Sequence, residues 1–110
     1  MPKPLLPTLR ERNRYMVFEI VSDSKFKRDE VLKSVWGSVS RLLGEFETGK
    51  TSLWLTEWDE KTQKGILKAN HKSIDKVRAA IALIKEIDKK PVIFHVLGIS
   101  GTIKKAKAKF

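Results

Sequence analysis

The chain has 110 residues, 23 of them basic and 13 acidic, which leaves a formal charge of +10. With 41% hydrophobic residues it can build one modest core and not two, so a single domain is expected, and the charge excess points to a polyanionic partner such as nucleic acid. The chain has no cysteine, which excludes disulfides, thiolate zinc sites and cysteine nucleophiles and fits a reducing, cytoplasmic compartment.

The charge is unevenly placed. Residues 1–14 carry four basic and one acidic group, and residues 101–110 carry four lysines and no acid. From Met1 to Asn13, three prolines with Arg10 and Arg12 define a basic arm with no regular element. Nothing in this stretch has the apolar run of a signal peptide, and no segment reaches the ~18 apolar residues that would span a bilayer, so no membrane partner is expected.

Arg14 to Ser22 is a β-branched and aromatic run with Met16, Phe18 and Ile20 on one face and Tyr15, Val17 and Val21 on the other. A strand apolar on both faces belongs in the middle of a sheet. Val31, Leu32, Val35, Trp36, Val39, Leu42 and Leu43 then recur at spacings of three and four, which predicts an amphipathic helix over Lys27 to Leu43. Asp29 and Glu30 suit its first turn and Gly44 its C-terminal cap. Gly37 in its middle is expected to admit a close neighbouring backbone. A Gly-, Glu- and Thr-rich loop follows.

Leu53 to Glu57 and Gly65 to Ala69 read as short strands joined through the polar turn Asp59–Gly65, hence a hairpin, with Leu53 and Leu55 inward and Trp54, Thr56 and Trp58 outward. Ile74, Val77, Ala80, Ile81 and Ile84 form a helical stripe over Ser73 to about Ile87. Pro91 to Ile99 is the fourth strand. Behind it, Thr102 or Ser100 caps a short basic helix with Ile103, Ala106 and Phe110 on one side and Lys104, Lys105 and Lys109 on the other.

The order βαββαβ predicts an α+β fold of ferredoxin-like (RRM-like) topology, strand order 4-1-3-2, with both long helices on one sheet face and a basic C-terminal helix. Its parts are an arm at 1–13, the folded domain at 14–100 and the tail at 101–110. The uncovered sheet face calls for the arm, the tail or a partner.

No converging catalytic set emerges. His71 and His95 are the only histidines and have no metal-ligand spacing; Asp59 and Glu60 serve a turn rather than acid–base work. Gly44 to Gly49 is too poor in glycine for a phosphate loop, and nothing reproduces the phosphate loop of acylphosphatases, which share the topology. The base-stacking aromatics of an RNA-recognition motif are also missing, since Lys64–Ala69 holds none. RNA binding is therefore assigned to backbone phosphate contacts through Arg10, Arg12, Arg14, Lys104, Lys105, Lys107 and Lys109, strongly salt-sensitive and with little sequence preference. Trp54 and Trp58 on an edge strand are read either as core packing around the sheet rim or as protein-interface anchors, and with Tyr15 and Val17 they are the candidate protein-interface residues.

Pro7-Thr8-Leu9-Arg10 followed by Arg14-Tyr15 and a strand, the Phe26–Val31 helix entry, the Asp59–Gly65 hairpin, and above all Gly98-Ile99-Ser100-Gly101-Thr102-Ile103-Lys104 resemble the archaeal ribonuclease P protein component 2 family over nearly the whole chain. The resemblance implies a non-catalytic subunit of a ribonucleoprotein endoribonuclease. In that family an RNA with bound Mg2+ removes the 5′ leader of precursor tRNA, and this chain itself would hold no cofactor. It also implies a TIM-barrel-like protein partner, with pairs of such heterodimers associating through component 2, and RNA contacts at Arg10, Arg12, Arg14, Lys104, Lys105 and Lys107. Ending at Phe110, the chain is not expected to make the contacts of longer-tailed relatives. The alternatives are a general RNA- or ribosome-associated binding domain and a standalone ferredoxin-like enzyme or metabolite-binding regulator.

Overall fold

The structure, a computed structural model, describes residues 12–110. Arg10 and most of the expected arm at 1–13 lie outside the described residues. The elements run β1 (Asn13–Val21), α1 (Arg28–Leu43), α2 (Glu45–Lys50), β2 (Trp54–Asp59), β3 (Lys64–Asn70), α3 (Ile74–Ala82), β4 (Glu86–Ile87), β5 (Lys90–Pro91), β6 (Ile93–Ser100) and α4 (Ile103–Ala108). Four strands make one sheet in the order β2-β3-β1-β6, antiparallel throughout, while β4 and β5 pair as a separate hairpin.

The central position of β1 follows from its side chains, which are apolar on both faces. Met16, Phe18 and Ile20 enter the main core with Leu67 of β3 and Leu55 of β2, the stripe Val31, Val35, Val39 of α1, and Ile74, Val77, Ala80, Ile81 of α3. Each of the Val, Leu, Ile, Phe and Met side chains among these contributes about 1.5–3 kcal/mol when fully buried rather than exposed. On the opposite face Val17 and Ile66 are covered by Ala106 of α4, with Tyr15, Leu97, Ile103 and Phe110 partly buried around them.

Buried polar groups tie these layers together. Ser38 Oγ donates to Ala80 O at 2.6 Å, joining α1 to α3. Gln63, 7% exposed and at φ +56°, clips the β2–β3 turn to the β1–α1 connection. Its Oε1 accepts from Phe26 N at 2.9 Å, and its Nε2 donates to Phe26 O at 3.3 Å and Glu60 O at 2.6 Å.

Several expectations are corrected. The loop after α1 contains α2, in which Thr48 Oγ1 bonds back to Gly44 O at 2.8 Å. The second long helix stops at Ala82 rather than near Ile87 because the chain turns into the β4–β5 hairpin, whose loop residues Asp88 and Lys89 both take positive φ. Ile87 is still buried, at 2% exposure, so the hairpin supplies the apolar contact that a continued helical stripe would make. The last strand consequently starts at Ile93.

Gly37 meets no foreign backbone, since a Cβ there would find only the Arg41 guanidinium at 3.8 Å. Gly37→Ala is therefore expected to raise stability by up to about 1 kcal/mol through helix propensity. Gln63→Ala, which leaves Phe26 N–H buried without an acceptor, lowers it by about 1–3 kcal/mol. Urea midpoints of the two variants, read at constant m-value, check both signs.

Candidate nucleic-acid interface

The antiparallel pairing of β1 with β6 sets Tyr15 opposite Ser100, so the beginning of one strand lies beside the end of the other. The Arg14 guanidinium consequently reaches Gly101, where a Cβ would stand 3.7 Å from Nη1. Cationic groups far apart in sequence meet at one end of the sheet.

Helix α4 starts at once. Thr102 is its N-cap, and its Oγ1 accepts from Lys105 N at 3.2 Å. Ala106, with no exposed surface, seats the helix on Val17 and Ile66. The 100° step then turns the lysines to different fates. Lys104 and Lys105 are exposed and form no ion pair among the described residues. Lys107 Nζ lies 3.3 Å from Glu57 Oε1 on β2, a half-exposed pair worth about 0–1 kcal/mol. Lys109 lays its stem across the sheet, since a Cβ on Gly98 would stand 2.6 Å from its Nζ and 2.9 Å from its Cδ.

On the other side of β1, Asn13 is opposite Asn70 and Tyr15 opposite Lys68. His71 N donates to Arg12 O at 2.7 Å and its ring Nδ1 lies 3.2 Å from the same oxygen. Thus Arg12, exposed, and Arg14, half-buried, stand between the end of β3 and the start of α4. Sequence reasoning named the two termini; it passed over Lys68 and Lys72, which only the strand register brings to this end.

Aromatic stacking of bases on the central strands is closed off. Ile66 occupies β3, and α4 covers both it and Val17. The outer, lysine-bearing side of α4 is what the sheet face presents instead.

The four interface candidates separate. Val17 has no exposed surface, so its place in a protein interface is corrected: α4 already covers it. Trp58 is likewise corrected. The β2–β3 register shifts between Leu55 and Glu57, which turns Trp58 inward. There it stacks on Phe18 at 6.0 Å and donates from Nε1 to Phe26 O at 3.1 Å, in space that exists because position 65 is glycine. Tyr15 is half-buried beside α4. Trp54 is 51% exposed, and with Leu32, 41%-exposed Trp36 and Gly37 it lines an apolar hollow of about 550 Å³. The Arg28 guanidinium sits 5.8 Å from the Trp54 ring centre and donates to Leu55 O on the edge strand.

Titratable groups elsewhere serve structure. His95 Nδ1 meets Glu19 Oε1 at 2.9 Å on the surface. The backbone N–H of Lys61, with that of Thr62 and the Lys61 charge, holds the Asp59 carboxyl below its ordinary range, which suits a turn-capping anion. Among the described residues no group of three or more His, Cys, Asp or Glu could hold a metal ion.

Compared with known proteins, residues 14–110 match the model of the Rpp14/Pop5 family. The chain is 41% identical over 109 residues to ribonuclease P protein component 2 of Thermococcus kodakarensis, covering 99% of this chain and 91% of that protein. With the protein of the same name from Pyrococcus horikoshii it shares 43% over 108 residues, covering 98% and 90%, and with that from Methanocaldococcus jannaschii 42% over 110 residues, covering 100% and 81%. A chain in the cryo-EM structure of yeast ribonuclease MRP superposes with a TM-score of 0.69 at 14% identity, over 84% of this chain and 76% of that one, a likeness of fold.

Proposed function

The chain belongs to the Rpp14/Pop5 family, and we propose that it is the non-catalytic, RNA-binding component 2 of a ribonuclease P. In this reading the catalyst is the RNA, whose bound Mg2+ supports removal of the 5′ leader from precursor tRNA, and the protein holds that RNA by its phosphates. The observation that carries the reading is the convergence at one end of the sheet: Arg14 against Gly101, with the exposed Lys104 and Lys105 just beyond on a docked helix.

The fold fits a ferredoxin-like scaffold, supported by the order β2-β3-β1-β6 with α1 and α3 on one face. We place the particle in the cytoplasm, in keeping with a cysteine-free chain. Among the described residues no helix is long and apolar enough to cross a membrane. The protein partner in this reading is a TIM-barrel-like subunit, with two heterodimers associating through this chain. Trp54 and Trp36 around their hollow are the anchor that best suits such a partner, since exposed tryptophans beside an apolar recess are typical binding hot spots.

A transcript of the ribonuclease P RNA from the same organism, assembled with this chain and the partner subunit, tests the role by its rate on precursor tRNA. A rate unchanged on adding the chain overturns it and leaves a general RNA-binding domain. Lys104→Ala/Lys105→Ala is expected to weaken RNA binding and to flatten the dependence of log K on log salt by about 0.7–0.9 per lost phosphate contact. Ala106→Glu puts a carboxylate between α4 and Val17 and is expected to weaken binding similarly by unseating the helix, with both lysines retained; filter binding across a salt series measures both.

A further inference from the structure

We propose that the turn between β3 and α3, with Lys72 on it and Lys68 just before it, is a third RNA-contacting segment that extends the phosphate-binding surface across β1. The inference rests on the RNA-binding reading above and names residues that the two chain ends do not include.

Register is the first ground. Tyr15 of β1 is opposite Lys68 on one side and Ser100 on the other, and Asn13 is opposite Asn70. With about 4.8 Å between neighbouring strands, the end of β3 and the start of α4 flank Arg12 and Arg14 within two strand spacings. A single RNA backbone crossing this end of the sheet would meet all three segments.

Charge is the second. Residues 12–15, 68–73 and 100–110 together hold eight Lys and Arg and no Asp or Glu. Lys68 is half-buried, and neither it nor Lys72 pairs with a carboxylate among the described residues. A partly desolvated cation with no internal counter-charge is stabilised by an external anion. The turns at the other end of the sheet differ, because Lys61 and Lys89 there are interleaved with Asp59, Glu60 and Asp88.

Rigidity is the third. His71 is tied through its backbone and its ring to Arg12 O. Asn70 Oδ1 accepts from Ser73 N at 2.9 Å, while its Nδ2 donates to Lys50 O at 2.6 Å. The turn is thus fixed to the strand that bears the arginines, so that binding has to order only the Lys72 side chain and not the turn's backbone.

The test uses the full chain and the same ribonuclease P RNA, with dissociation constants measured over a salt series. Four proteins are compared: the parent, Lys68→Ala/Lys72→Ala, Lys104→Ala/Lys105→Ala, and Lys25→Ala/Lys61→Ala as a control of equal charge change. The first double variant is expected to weaken binding and to flatten the salt slope by about 0.7–0.9 per lysine, with the control within about twofold of the parent. If it matches the control while the Lys104/Lys105 variant weakens, the third segment is wrong and the RNA-binding reading stands. If the control falls as far as the others, bulk charge explains the loss and the segment is again wrong. If no variant weakens, the RNA-binding reading itself fails. Lys72→Ala alone, at an exposed turn, carries the same test should Lys68→Ala loosen β3.

Discussion

Everything in this molecule depends on β1 being covered on both of its faces. Its Met16, Phe18 and Ile20 set draws α1 and α3 to one side of the sheet, and Val17 on the other requires α4. The second requirement is the functional one. A lysine-rich segment would be solvated and structureless were its Ile103, Ala106 and Phe110 not needed to close an apolar patch. One hydrophobic demand thereby aims the cations.

Antiparallel pairing does the rest. Because β1 lies between β3 and β6 and runs opposite to both, the start of β1 lies beside the ends of β6 and β3. Arg12 and Arg14 are thereby brought to the same end of the domain as the segment that leads into α4. The sheet face that related topologies use for base stacking is occupied by α4, which is why the RNA contacts proposed above are to phosphates.

The parts legible in the sequence are those set by local rules. The α1 stripe of Val31, Val35 and Val39 and the Thr102 cap both follow from periodicity and short-range hydrogen bonding. The misreadings arise where a non-local event resets a local pattern. Alternation counted from Leu53 and Leu55 places Trp58 outward, but the irregularity between Leu55 and Glu57 reverses the parity, and Gly65 leaves room for the ring against Phe18. Ile87 continues a helical stripe in sequence while sitting in a two-residue strand. Lys68 and Lys72 are ordinary surface lysines until strand register supplies their neighbours.

Six residues are far too few for a helix to persist alone in water. Lys104 and Lys105 are its second and third residues, where the positive pole of the aligned peptide dipoles disfavours cations. Helix α4 therefore carries an unfavourable arrangement of charge and dipole that its docking on Val17 and Ile66 offsets. In the RNA-binding reading proposed above, phosphates at that pole would relieve the arrangement, and RNA would slow the exchange of the α4 amide hydrogens more than those of α1.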